Sequence, residues 1–536
     1  MNNNDEIKDG DAMSGFEPTG ARRRRKTKVA VWLGVAGVCA TAAAVVPVGG
    51  HTQAAPGDPM SEGMECTYGA LGLTGSADFN LTASDGYTSE PDGNAIYDWG
   101  YGVAGKGFQL PGPVLCVLQG QTVNITLTNQ LPISTSIQFP GQTDVNIGGV
   151  PVGPVADGAG ALVSLVPEAA PGASVTYNFT ASSAGTYLDE SGSDPQLQVQ
   201  MGLFGAIVVR PSITVTGADV LAIPYEDGAG PGETNGNNSH DNMSPTEADA
   251  AALSAGCAYA SLADPTKCDP LAIYNATTGD NGEVRGENIL MLSEVDPGLH
   301  SFMEQNNVAP FNKLNSAAYT NGYKAHYFMI NGRSMPDTLA PNNAPWLPSQ
   351  PYGAMAHVQP WDVHNNPLDV MLRYVAVGTA GYDLHPHSNH EHVIAEDGSL
   401  MKGPLGTDDN TEGKFNIMVG PGSTVDATFR WTNEEGYSDT DGHRVPVAWP
   451  NGLNLQEGDF WSGSPYLGNN GVLNPGILTK TSCGEYYHVA HNHDLTQVTN
   501  YGITFGGMLT LIKVEPPKAL QGTRPPGSDF TVPVCD

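Results

Sequence analysis

From about Cys66 to Pro211 the chain runs as short β-rich segments divided by turn residues. In Thr122-Val-Asn-Ile-Thr-Leu-Thr, Val123, Ile125 and Leu127 alternate with polar partners. This period of two buries one face of a strand and leaves the other wet. The same style returns at Val175-Thr-Tyr-Asn-Phe-Thr and at Gly205-Ala-Ile-Val-Val, so the pattern predicts a β-sandwich of about 150 residues. A second β-rich region runs from about Asn288 to Val514, with Tyr327-Phe-Met-Ile-Asn-Gly, Val370-Met-Leu-Arg-Tyr-Val-Ala-Val, Ser423-Thr-Val-Asp-Ala-Thr-Phe and Met508-Leu-Thr-Leu-Ile each bounded by turns. The segment between them changes to Gly-, Asn- and Ala-rich sequence and reads as an ornamented linker. The expected organisation is a leader at 1–54, an N-terminal sandwich at 65–212, the linker or insertion at 213–286, a C-terminal sandwich at 287–515 and a tail at 516–536.

Composition supports an all-β reading, because 66 Gly and 41 Pro among 536 residues interrupt long helices. The balance of 23 Lys+Arg against 56 Asp+Glu gives a net charge of −33, and Arg22 to Lys28 hold six of the bases. A surface of that sign repels phosphate backbones, which argues against nucleic acid as a partner. The early basic run, the apolar stretch Val29 to Val48 and the small-residue exit at Thr52-Gln53-Ala54-Ala55 have the order of a secretory signal, with cleavage expected near Ala54. The adjacent arginines hint at twin-arginine export, and an uncleaved anchor is the alternative. The expected location is therefore secreted or extracytoplasmic, at the periplasm or cell surface. Cys66, Cys116, Cys257, Cys268, Cys483 and Cys535 remain beyond the leader. An even set in an exported chain reads as disulfides of unresolved connectivity, with Cys257 to Cys268 the easiest local closure.

Several of these segments resemble multicopper oxidases. Pro111-Gly-Pro-Val, Gly120-Gln-Thr-Val-Asn-Ile-Thr-Leu-Thr-Asn-Gln-Leu, Pro171-Gly-Ala-Ser-Val-Thr-Tyr-Asn-Phe, Gly185-Thr-Tyr and Gly202-Leu-Phe-Gly-Ala-Ile-Val-Val are similar to that family's first cupredoxin domain. Ile330-Asn-Gly-Arg, Leu372-Arg, Val393-Ile-Ala-Glu-Asp-Gly and Pro421-Gly-Ser-Thr-Val-Asp look like its later domain. The resemblance implies an all-β fold of two cupredoxin-like Greek-key β-sandwich domains. It also implies a type 1 copper held by a Cys thiolate, two His and often a Met, and a trinuclear cluster of paired His-x-His motifs drawn from both domains.

Tested ligand by ligand, the first domain departs from that pattern. Gln138-Phe139-Pro140-Gly141 stands at the family's His-Trp-His-Gly position and Glu190-Ser191-Gly192 at its His-Ser-His position, and no His occurs between His51 and His240. The second domain keeps more. His385 and His387 fall on the family's C-terminal His-x-His pair, counted without a gap from Gly398, and His491-Asn492-His493 resembles the terminal His-Cys-His with Asn in place of Cys. Tyr382 and Gln497 stand where the type 1 imidazoles belong, and no Met is in register as an axial ligand. A rival register uses His387, His390 and His392. The resemblance thus implies a degenerate member with half a cluster, His385, His387, His491 and His493, which His390, His392 and His488 could extend or support. A pair at i and i+2 places both imidazoles on one face of a strand, and four imidazoles suit one Cu(II), and also Zn. His300, His326, His357, His364 and His443 stand singly and read as structural.

Three functions fit these residues. The first is an exported copper-binding protein serving in copper handling or redox, with the metal ion as partner. The second is an oxidase with a non-blue copper centre acting on phenolic or metal-ion donors. The third is a metal-free structural protein of the cell surface that kept the fold and lost the chemistry. Metal content separates the third from the others, and turnover separates the second from the first. The substrate is undetermined, and a homo-oligomer is compatible with the sequence.

Overall fold

The computed structural model describes residues 64–69, 75–210, 287–306, 322–358, 370–387, 390–401, 410–429 and 486–514. The expected leader, linker and tail, and Cys257, Cys268, Cys483 and Cys535 with them, lie outside the described residues, as do His364 and His443.

Residues 77–210 form two facing sheets. One has the order Ala95–Val103, Ala77–Ser89, Thr122–Asn129, Ser174–Thr180, Asn146–Ile147, Val150–Pro151, and the other Gly185–Glu190, Phe204–Arg210, Val114–Leu118. Ala77–Ser89 runs parallel to Thr122–Asn129, with Phe79 opposite Ile125. Parallel neighbours need a crossover, here carried by the intervening strands. The alternation read in the sequence is the alternation of burial: Val123, Ile125 and Leu127 are fully buried, and Asn124 and Thr126 between them bond across to Asn178 and Thr176 of the next strand. They pack with Trp99, Tyr101, Tyr177 and Ile207 into one core. Cys66 and Cys116 form a disulfide that ties the first described segment to Val114–Leu118.

Residues 287–514 repeat the plan. A seven-stranded sheet runs Tyr327–Ile330, Glu287–Val295, Val370–Ala376, Thr424–Phe429, Glu391–Glu396, Ser399–Leu400, with Glu412–Lys414 paired onto Glu391–Glu396. It faces a five-stranded sheet in the order Ala356–Val358, Leu509–Val514, Tyr486–Asn492, Tyr382–Pro386, Ile417–Val419. Val370–Ala376 is buried along its whole length, which fits a sequence that is apolar on both faces except at Arg373. The helix Pro297–Asn306 opens with Pro at its first position and with Asp296 Oδ1 accepting from the backbone N–H of Gly298 at 2.8 Å. The fold is all-β.

A third core joins the two sandwiches: Leu188, Phe204, Ala206 and Val208 of the first pack with Ile289, Met291, Tyr327 and Val375 of the second. Beside it lies a buried ionic network. The Arg373 guanidinium donates to Glu287 Oε1 at 2.7 Å and to Thr186 Oγ1 at 2.9 Å, and Arg210 reaches Glu287 Oε2 at 2.5 Å. Burial alone would raise the Glu287 carboxyl pKa, but the two guanidinium groups hold it below its ordinary value.

Candidate metal centre

Two adjacent antiparallel strands present the histidines. Tyr382–Pro386 pairs with Tyr486–Asn492 in the register Leu384 to Asn492 and His385 to His491. Successive side chains alternate faces, so Asp383, His385 and His387 share one face with His491 and His493. The rings meet there. Centroids are 4.8 Å apart for His385 and His387, 4.9 Å for His387 and His491, 5.0 Å for His385 and His493, 5.6 Å for His385 and His491, and 5.8 Å for His491 and His493. The closest polar approach is 2.9 Å between the Nε2 atoms of His387 and His491.

Backbone carbonyls orient two of these rings. His385 Nδ1 lies 2.6 Å from the Phe415 carbonyl oxygen and His491 Nδ1 lies 2.8 Å from that of Asn492. A carbonyl only accepts, so these contacts assign the proton to Nδ1 and leave an Nε2 lone pair on each ring, as an imidazole ligand needs. Charge state agrees with geometry. Burial first, then the neighbouring rings, pushes His387 down to about 4, and burial also lowers His385 and His491. These three imidazoles are therefore neutral near pH 7. Metal–imidazole bonds are about 2.0–2.1 Å long, so adjacent nitrogens around a square ion stand about 2.9 Å apart. The His387 and His491 pair has that spacing, and the donor set fits copper. Among the described residues no three His, Cys, Asp or Glu side chains are already drawn together as a finished ligand set.

The other candidates sit differently. His390 is exposed, and its ring packs 5.6 Å from that of Phe415, on whose other contact His385 rests at 5.8 Å. His392 is buried in Glu391–Glu396, a strand of the opposite sheet. His488 is fully buried one strand position out of phase with His491, and its field acts on His387. Two residues that the sequence motifs did not single out frame the site. Phe415 supplies the carbonyl that holds His385, and Asp383 lies on the ligand face, its carboxylate accepting from Asn416 Nδ2 at 3.2 Å and from the Asp494 N–H at 3.1 Å.

Next to this cluster, the positions where the resemblance led us to expect a thiolate site are occupied by hydrogen-bonded polar groups. Asn492 is fully buried, and its Nδ2 donates to Gln497 Oε1 at 2.7 Å and lies 3.4 Å from Met508 Sδ. Tyr382 turns its hydroxyl to the Val377 carbonyl at 2.9 Å. Met508, out of register in the sequence, is brought to Asn492 by the fold. In the first sandwich Gln138 and Glu190 are paired, with Gln138 Nε2 donating to Glu190 Oε1 at 2.8 Å. The two positions that the resemblance aligned with imidazoles are thus joined by an amide–carboxyl contact.

Residues 100–214 match the family model described as multicopper oxidase. A laccase of Aspergillus fumigatus is 34% identical over 103 residues, covering 19% of this chain and 16% of that protein. A multicopper oxidase of Cercospora beticola is 35% identical over 100 residues, covering 19% of this chain and 14% of its own length. The chain thus spans less than a fifth of the length of these curated relatives. A blue copper oxidase from Nitrosomonas europaea overlays with a TM-score of 0.43 at 15% identity, covering 84% of this chain and 88% of that one. The family and sequence matches centre on the first sandwich, where residues 100–214 are similar to multicopper oxidases.

Proposed function

We propose that this is an exported copper-binding protein whose metal is held by the imidazoles of His385, His387, His491 and His493, with a role in copper handling or redox. The family match supports a copper-related, oxidase-like role. The observation that carries the finer reading is the four-ring cluster on one strand face, with the Nδ1 atoms of two rings turned to backbone carbonyls. Asp383 adds negative charge beside it. Bound copper supplies a one-electron couple there. The chain's own part is to keep His385, His387 and His491 neutral, and to offer the cluster on an exposed face bordered by Phe415 and Met418. The comparisons speak for copper, and nothing in them supports zinc.

The family match also favours a second reading, an oxidase with a non-blue centre acting on phenolic or metal-ion donors. Extracytoplasmic residence belongs to the proposal; among the described residues no helix is long and apolar enough to cross a membrane. Equilibrium dialysis of the purified protein against Cu(II) and Zn(II) in turn tests the binding reading, which requires retention of copper in preference to zinc. Turnover of a phenolic donor by the copper-loaded protein would move the conclusion to the second reading. Retention of neither metal would leave the fold without this chemistry.

A further inference from the structure

A cleft of about 450 Å³ opens where the strand Ala95–Val103 meets the helix Pro297–Asn306. Tyr97, Tyr327 and Tyr501 line it, with Asn94, His300 and Glu304. Tyr327 is fully buried and forms the floor, whereas Tyr501 is 53% exposed and offers a ring face. Tyr501 is held in place from several sides. Its N–H donates to the His326 carbonyl at 2.9 Å, its ring stacks on the His326 imidazole at 4.2 Å and 9°, and it meets the edge of Tyr327 at 5.8 Å. Its φ of 51° lies in the left-handed region, which a non-Gly residue keeps only where the surroundings enforce it.

The polar groups around these rings have one character. Tyr327 donates its hydroxyl to Asp92 Oδ2 at 2.7 Å, Tyr97 to Asp85 Oδ2 at 3.1 Å, and Tyr87, edge-on to Tyr97, to Glu304 Oε1 at 2.6 Å. The phenols' donors are spent on carboxylates, which leaves electron-rich ring faces and a negative rim. The sole basic side chain among the lining residues, His300, is 1% exposed and paired with Asp98, with backbone carbonyls of Tyr97 and Gln200 at its two ring nitrogens. A sugar would find few free donors here. An anion would meet carboxylates on a chain of net charge −33.

We propose that this cleft binds a small organic cation, an ammonium head on an apolar body, with the charge against the faces of Tyr501 and Tyr97 and opposed by Glu304. Aromatic faces attract such heads through their quadrupole, and a nearby carboxylate adds direct attraction.

Choline and its neutral isostere 3,3-dimethylbutan-1-ol test this by calorimetric titration of the full chain. Saturable choline binding is expected, weakened as salt rises, with the isostere at least about tenfold weaker. Tyr501→Phe keeps the ring face and should bind within about twofold of the parent, while Tyr501→Ala should lose about tenfold. Glu304→Gln should weaken binding several-fold and flatten its salt dependence, and this exposed substitution decides the matter if the Ala variant misfolds. Equal binding of the isostere, unsaturable heats with choline, or indifference to both Tyr501→Ala and Glu304→Gln would overturn the proposal.

Discussion

The Nε2 atoms of His387 and His491 face each other at 2.9 Å across two antiparallel strands. With the His491 proton on Nδ1, the contact is the Nε2–H of neutral His387 donating to the His491 Nε2 lone pair, and a metal ion bound at both Nε2 atoms would require His387 to carry its proton on Nδ1 instead. The desolvation that holds His387 near pKa 4 is thus a preparation for binding: little proton competition remains near pH 7.

Replacing His385 and His387 together by Ala should weaken copper binding by at least about 100-fold, since it removes two donors from one strand. His326→Ala should leave copper content unchanged, because that ring is stacked on Tyr501 elsewhere. The paired replacement of His390 and His392 should retain most of the metal. Copper analysis after dialysis reads all three, and loss in the His390 and His392 variant alone would show the rival register to be the right one.

Asp189 gives the fold a pH dependence. It is fully buried, and burial first, then the charge of Glu190, pushes its carboxyl up to about 8 from an ordinary 3.8. A folded-state value above the unfolded one contributes stability that is fully present below about pH 3.8 and is lost as the pH rises through about 8. The melting temperature should accordingly fall between pH 5 and pH 9 by a component on the order of 5 °C. Asp189→Asn, which has no proton to lose, should flatten that component in a scanning-calorimetry series. An unchanged slope would mean that Asp189 is ionised throughout.

The buried network between the sandwiches should be costly to break. Arg373 is fully buried among Glu287, Asp426 and Thr186. Arg373→Met removes a guanidinium that holds Glu287 ionised, and loss of one member of a buried pair costs about 3–5 kcal/mol. Urea unfolding should show this as a lower midpoint. Arg373→Lys should recover little of it, because an ammonium cannot serve Glu287 and Thr186 at once.

Much of the fold was legible because burial follows the side-chain period: the alternation at Val123, Ile125 and Leu127 is a half-buried strand, and the β-rich segment at Val370–Ala376 is a strand buried throughout. The two histidine windows stood out in the sequence, and their meeting depends on one register, His385 opposite His491, which no local pattern states. Phe415, Asp383 and Met508 were missed for a related reason. The first acts through its backbone carbonyl, the second through a strand face fixed only by pairing, and the third arrives through the turns after Gln497. The tyrosine cleft was equally hidden, since its walls come from residues 94–97, 297–304, 327 and 501.

The central claim is that the protein holds copper without being blue. The intense visible band of a type 1 site needs a Cys thiolate on Cu(II), and Asn492 here is closed into an amide–thioether network with Gln497 and Met508. The most direct measurement is copper analysis of the purified protein together with its visible and EPR spectra. The account predicts bound copper, a pale protein and the large parallel hyperfine coupling of a tetragonal Cu(II) held by imidazoles. A strong blue band with a small coupling, or a protein that binds no copper at all, would contradict it.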